Sequence, residues 1–309
     1  MKDALVGYTG FVGSNLAKEH DFEGLYNSKN IKAAYGTCPE FLIYAGIRAE
    51  KYIANKFPQK DKESMIEALE NIKKINPKKL VLISTIDVYS KPVDVNEDDE
   101  TFEDNQAYGT NRRWLEVNVR KNFPDALIVR LPALFGCNLK KNYIYDFIHR
   151  IPKLLNENKF LELTERCSEL KNYYDMDSNG FYSCKSLDSE QESRLLNIFK
   201  TLDFDALQFT DIQATFQFYD LKYLYSHIQI ALNAGIKYVN LAVEPIKVDE
   251  LYQYLTNEQS KENILSSTPP LYNFKTKYSE VFGGKNGYIF SREAILSDIK
   301  SFVEGEINK

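Results

Sequence analysis

Three features of the chain predict an α/β fold built on a doubly wound parallel sheet. Short apolar runs, among them Ala4-Leu5-Val6, Phe41-Leu42-Ile43-Tyr44 and Leu80-Val81-Leu82-Ile83, are near-continuous rather than alternating, as strands covered on both faces are. Segments with helical periodicity lie between them, so strand and helix take turns along the chain. The first strand opens into a glycine-rich turn, Gly7-Tyr8-Thr9-Gly10-Phe11-Val12-Gly13, and Ser14 to Glu19 continues with helix-compatible residues.

Composition sets the outer bounds. With 309 residues, 43% of them hydrophobic, the chain can bury a substantial core as one large domain or two unequal ones. A net charge of -5 gives no electrostatic reason to expect nucleic acid as a partner. No apolar run approaches the roughly 18 to 20 residues of a membrane span, and Met1-Lys2-Asp3 leads into the first strand without a signal-peptide pattern, so a cytoplasmic protein is expected. Cys38, Cys137, Cys167 and Cys184 share no C-x-x-C spacing and are expected to be reduced. His20, His149 and His227 stand apart in sequence, so neither a histidine-based metal site nor a serine–histidine triad is expected.

The glycine turn is the first chemical feature. Glycines at spacing G-x-x-G-x-x-G let the backbone approach a pyrophosphate and aim a helix N-terminus at the anion, although an ordinary strand-to-helix turn uses glycine too. Residues 22–26 read as a second strand ending at Asn27-Ser28-Lys29-Asn30, where a dinucleotide fold meets the adenosine ribose. A carboxylate there would favour a free 2′-hydroxyl. Its absence, with Ser28 and Lys29 present, favours NADP over NAD; the alternative is a plain polar turn. The third strand ends in Ala45-Gly46, small enough for a flat cofactor to lie against the backbone, and Arg48 and Lys51 beyond it read as solvated charges, with contact to a phosphate the alternative.

Residues 63–75 place Ile66, Leu69, Ile72 and Ile75 on one predicted helix face. The next strand ends in Ser84-Thr85-Ile86-Asp87-Val88-Tyr89, a hydroxyl pair at the carboxyl end of a central strand, where open α/β sheets bind ligands. Residues 96–105 form an acidic loop, expected to be solvated. Tyr108 opens a helix through about Lys121, and Arg112, four residues on, shares its face, whereas Arg113 turns away. A strand at 126–131 runs into Pro132-Ala133-Leu134-Phe135-Gly136.

Taken in order, these segments resemble the extended short-chain dehydrogenase/reductases, the NAD-dependent epimerase/dehydratase family that acts largely on nucleotide sugars. Gly7 to Gly13 is similar to its glycine motif, Ser84-Thr85 with Val88-Tyr89 to its S-[ST]-x-x-V-Y strand end, and Arg130 to Gly136 to its R-x-x-x-V-Y-G segment with Phe135 for tyrosine. Phe216 to Leu221 and Tyr238-Val239-Asn240-Leu241-Ala242 resemble two later strands, the second followed by a helix at Lys247 to Leu251. The resemblance spans residues 4–255. It implies a Rossmann sheet and an NADP or NAD cofactor held by Gly7, Thr9, Gly10, Phe11, Val12, Asn27, Ser28, Lys29, Ala45, Gly46, Ser84, Tyr108, Arg112, Leu131, Ala133 and Leu134. It further implies a nucleotide-sugar substrate and a possible homodimer through a helix bundle that includes the Tyr108 helix.

In this family a tyrosine moves a proton at the sugar hydroxyl while the nicotinamide exchanges hydride. The resemblance assigns that role to Tyr108, with Thr85 binding the reacting oxygen and Arg112 standing where the family has lysine. Working as a base near neutral pH requires a phenol shift of roughly three units, about 4 kcal/mol. One cation at ~4 Å in an effective dielectric of ~20 supplies about that much. Arginine keeps the charge but directs it through a longer planar fork. The sugar dehydratases carry an acidic pair after the threonine; here the positions are Ile86 and Asp87, so an epimerase or ketosugar reductase fits better. Asp87 itself reads equally as a loop-start cap or a catalytic group.

The second half carries less. Lys140-Lys141-Asn142 would lie where the family holds substrate and could meet a diphosphate, or be surface. Residues 143–155 read as a helix, and the helical runs of 156–212 suggest an enlarged substrate-side lobe. Residues 212–242 are expected to return to the first domain with a strand, a helix and a strand. The predicted organisation is a dinucleotide-binding domain at 1–150, rejoined at about 212–243, with a smaller, mostly helical substrate lobe at 151–211 and 244–309. The predicted function is an NAD(P)-dependent epimerase or reductase of a nucleotide-linked sugar. A non-catalytic NAD(P)-binding sensor or scaffold protein of the same fold is the alternative, and a related enzyme of another carbonyl compound a third.

Overall fold

Six short apolar strands form the centre: β1 (Asp3–Val6), β2 (Gly24–Tyr26), β3 (Phe41–Tyr44), β4 (Lys79–Thr85), β5 (Leu127–Leu131) and β6 (Tyr238–Asn240). They run in the order β6-β5-β4-β3-β1-β2 with every pairing parallel, the sheet that the sequence predicts. The structure, a computed structural model, describes residues 1–308. β1 has β2 on one side and β3 on the other, so the winding reverses there and opens a crevice beyond their carboxyl ends.

Helices cover both faces. They are α1 (Phe11–Glu19), α2 (Lys51–Lys56), α3 (Pro58–Ile75), α4 (Ala107–Asn122) and α5 (Tyr143–His149). Further along come α6 (Glu157–Arg166), α7 (Ser189–Thr201), α8 (Leu224–Asn233), α9 (Val248–Thr256) and α10 (Arg292–Ile307). On one face Leu16, Leu224, Ile228, Ile295 and Ile299 pack with Leu5, Ile43, Val81 and Val129. On the other, Met65, Leu69, Ile72, Leu115 and Val119 pack with Leu42, Leu80, Leu82 and Ile128. Neighbours such as Leu42 and Ile43 point to opposite faces, which is why these strands read as unbroken apolar runs. Ile246, Val248, Leu251 and Ile289 share the first of these cores with β1 and α10.

Four local expectations need correction. In α3, Leu69, Ile72 and Ile75 are buried but Ile66 is 43% exposed, because nine residues before Ile75 is two and a half turns; Met65 and Ala68 take its place. The helix predicted for 143–155 stops at His149, where Arg150 turns left-handed (φ 60°), and Pro152 then favours extended backbone before it. Leu154–Asn156 is a strand, paired antiparallel with Phe181–Cys184, which also pairs with Tyr174–Met176. This sheet, with α6 and α7, encloses a separate core of Leu155, Phe160, Leu163, Leu170, Leu195 and Phe199, so the insertion is not helical alone.

The fourth concerns the acidic loop, which is not wholly solvated. Glu97 points inward and accepts from the Asn240 amide at 2.7 Å, the Thr276 hydroxyl at 2.6 Å and the Lys277 amide at 2.9 Å. One carboxylate thereby ties the end of β6 to the C-terminal segment.

A buried ion pair joins α4 to the sheet. Arg130 on β5 donates through Nε and Nη2 to the two oxygens of Glu116 on α4, at 3.0 and 2.8 Å, and through Nη1 to the Tyr89 hydroxyl at 2.7 Å. Both charges are removed from water, so the pairing has to be complete. Ser84 adds a 2.6 Å bond to Glu116 Oε1, and Arg113 Nη1 donates to Glu116 Oε2 at 3.1 Å.

Candidate active site

The glycine turn is built by close approach. Gly7 sits at φ 94°, and a Cβ there would lie 2.5 Å from the Ala45 carbonyl oxygen; a Cβ on Gly13 would lie 2.0 Å from that of Gly7. Packing of β1, β3 and α1 therefore requires both glycines whatever binds. Gly10 is different: its nearest neighbour would be 3.3 Å away, and it is exposed. It is also the N-cap of α1, with no side-chain cap and no acidic residue in the first turn. An uncapped helix N-terminus facing an open glycine suits an anion, so the residues present fit a dinucleotide pyrophosphate.

The remaining predicted cofactor residues take varied positions. Thr9 is exposed in the turn, and Phe11 and Val12 form the first turn of α1. Asn27 follows β2, its side chain accepting from the Lys29 amide, and Ser28 and Lys29 are exposed. Ala45 and Gly46 follow β3, Leu131 ends β5, and Ala133 and Leu134 come just after it. Ser84 faces Glu116. Asn142 caps α5 by accepting from the Tyr145 amide and donates to the Leu134 carbonyl; Lys141 reaches the Ala49 carbonyl and Lys140 is exposed.

Tyr108 and Thr85 do meet. Both line a cleft of about 190 Å³ at the carboxyl ends of β4 and β5, with Asp87, Leu131, Ala133 and Tyr272. Burial is the largest influence on the Tyr108 phenol and holds its pKa above the usual 10, against the opposing pull of the Arg112 charge and the Thr85 hydroxyl beside it. A larger cavity of about 640 Å³ lies between α5, α7 and residues 260–263, but it contains neither of these hydroxyls.

Arg112 is 4% exposed and stacked on its own helix's tyrosine, the guanidinium carbon 3.7 Å from the Tyr108 ring centroid. Its Nη1 donates to both oxygens of Asp61, at 3.0 and 2.8 Å, and its Nη2 to the Arg48 carbonyl at 2.8 Å. The arginine is thus anchored on α3 and the 48–51 segment, and Asp61 offsets much of its charge.

Several site residues escape a reading of the sequence alone. Lys51, read as a solvated charge, donates to Asp87 Oδ1 at 3.0 Å, and the Tyr272 hydroxyl donates to the same oxygen at 2.9 Å. The Asp87 amide in turn donates to Thr85 Oγ1 at 3.2 Å, so Thr85 caps the turn that Asp87 lies in. Asn55 of α2 accepts the Tyr108 amide at 2.9 Å. Ile86 is buried and offers no proton to the cleft.

No protein-family model and no curated protein sequence matches the chain. Solved structures do. A dTDP-4-dehydrorhamnose reductase from Yersinia enterocolitica is similar over 99% of this chain and 100% of its own, at 13% identity and a TM-score of 0.63. A UDP-N-acetylglucosamine 4-epimerase from Methanobrevibacter ruminantium is similar over 99% and 98%, at 12% identity and 0.64. RMD from Pseudomonas aeruginosa, solved with NADPH, is similar over 100% and 99%, at 13% identity and 0.63. At such identities it is the architecture that is shared, and from end to end this chain has the fold of this reductase, this epimerase and RMD.

Proposed function

We propose that the protein is an NAD(P)-dependent epimerase or reductase of a nucleotide-linked sugar, with reduction of a ketosugar as the direction that best suits its tyrosine. The observation that carries this reading is the buried Tyr108 hydroxyl beside Thr85 at the strand ends. The reductases and epimerases of the same fold, named for nucleotide sugars, support it.

In this reading Gly10 and the first turn of α1 hold the pyrophosphate, Asn27, Ser28 and Lys29 surround the adenosine ribose, and Ala45, Gly46, Leu131, Ala133 and Leu134 flank the rings. The absence of a carboxylate at 27–29 favours NADP. A bound reduced pyridine nucleotide supplies hydride to the carbonyl carbon. Tyr108 gives its phenolic proton to the carbonyl oxygen, which becomes the hydroxyl of the product, and takes a proton back from solvent. Thr85 holds that oxygen by a hydrogen bond, and Arg112, stacked on the ring, favours the phenolate while it lasts. A phenol whose pKa lies above 10 is a poor base at neutral pH but is fully protonated there, as a donor must be.

NADPH oxidation with a panel of nucleotide 4-ketosugars tests the proposal: wild type turns over and Tyr108→Phe does not. The anchoring of Arg112 on Asp61 favours a second reading, a protein that binds the dinucleotide without chemistry. That reading predicts no turnover in either protein and unchanged nucleotide binding.

A further inference from the structure

Lys51, Asp87 and Tyr272 come from three distant parts of the chain and converge on one carboxylate oxygen. Asp87 Oδ1 accepts from the ammonium at 3.0 Å and the phenol at 2.9 Å, and Lys51 Nζ lies 3.4 Å from the Tyr272 oxygen, which closes the triangle. No described residue donates to Asp87 Oδ2. Asp87 and Tyr272 share the walls of the cleft with Thr85 and Tyr108, so the carboxylate stands beside the place where a ring would react.

We infer that this triangle is a specificity filter, in which Asp87 Oδ2 accepts a hydrogen bond from a hydroxyl of the bound sugar ring and rejects a ring that carries a carboxylate there. The inference rests on the proposed function for the identity of the ring. An ionised carboxylate accepts hydrogen bonds and donates none, so an incoming hydroxyl gains a charge-assisted bond. An incoming carboxylate meets like charge with no proton between the oxygens. Lys51, the cation bonded to Asp87, does not relieve this, because it already spends its charge on that carboxylate and is held there by Tyr272. Selectivity of this kind comes from a built-in repulsion as much as from a new attraction. Lys51 and Tyr272 are positioning residues that turn Oδ2 towards the ligand.

Removing the carboxylate therefore does two things at once. Asp87→Asn abolishes the repulsion and releases the Lys51 ammonium to attract an anion. Calorimetric titration of the full-length protein, with and without saturating NADP, uses two probe pairs that differ only at C6: glucose against glucuronate, linked to uridine diphosphate or to thymidine diphosphate. Wild type is expected to bind the neutral member at least tenfold more tightly. Asp87→Asn is expected to shrink that ratio by at least tenfold, to parity or reversal, and Tyr272→Phe to shrink it less. Lys51→Met weakens the neutral ligand, and Lys51→Arg restores it. A ratio near one in wild type, an equal ratio in wild type and both Asp87→Asn and Tyr272→Phe, or no binding of any probe overturns the filter. Failure of the pyridine nucleotide to bind, with the sugar ratios as stated, counts against the proposed function and leaves the filter standing.

Discussion

In the proposed function a single side chain, Tyr108, sets the direction of the chemistry. Its phenol keeps its proton through neutral pH because burial outweighs the opposing pull of the Arg112 charge stacked on its ring. Replacing it with phenylalanine is expected to lower kcat by about 10² to 10⁴-fold while dinucleotide affinity stays constant, the usual range for a lost acid–base group. The pH profile should be flat through neutrality and fall only as the phenol ionises in alkaline solution, since the donor exists below its raised pKa and disappears above it. Tyr108 and Thr85 can be found in the sequence because a helix face and a strand end are local patterns. Lys51 and Tyr272 cannot, because they reach Asp87 from 36 and 185 residues away. His227 offers a stability test at the same scale. Burial lowers its pKa from 6.5 to about 4, so between those values the unfolded chain takes up a proton that the native chain refuses. Stability should fall by up to roughly 3 kcal/mol as pH drops through that window, and His227→Gln should flatten the slope in denaturant titrations.

Elements are held to one another by a few contacts that are expensive to break. Glu116 and Arg130 join α4 to β5 with both groups out of water, so Glu116→Gln should cost about 3 to 5 kcal/mol in urea unfolding, more than its lost hydrogen bond alone. The turn between β1 and α1 divides stability from binding. Gly13→Ala forces a Cβ onto the Gly7 carbonyl and should lower the melting temperature. Gly10→Ala meets only a 3.3 Å contact and should leave it nearly unchanged while weakening pyrophosphate binding. At this scale the strands are readable because burial on both faces makes them continuous, and α4 because Tyr108 and Arg112, four residues apart, share one helical face. Ile66 was misplaced because a spacing of three drifts around the helix. Glu97 was misplaced because its partners, Asn240, Thr276 and Lys277, are far away in sequence.

At the scale of the whole molecule the reversal of winding at β1 is what gathers the parts. It puts the glycine turn, the ends of β3, β4 and β5, and the Tyr108 helix around one crevice. That arrangement followed from the order of strands and helices. The inserted lobe did not, since strands of three or four residues are too short to show a period and its core closes on itself. The central claim, that this crevice reduces a sugar carbonyl with Tyr108 as proton donor, is tested most directly by following NADPH oxidation with nucleotide 4-ketosugars in wild type and Tyr108→Phe side by side. Turnover in the first and its loss in the second, with equal NADPH binding in both, is the result expected. Equal rates in the two proteins, or NADPH binding without oxidation across the whole panel, would contradict it.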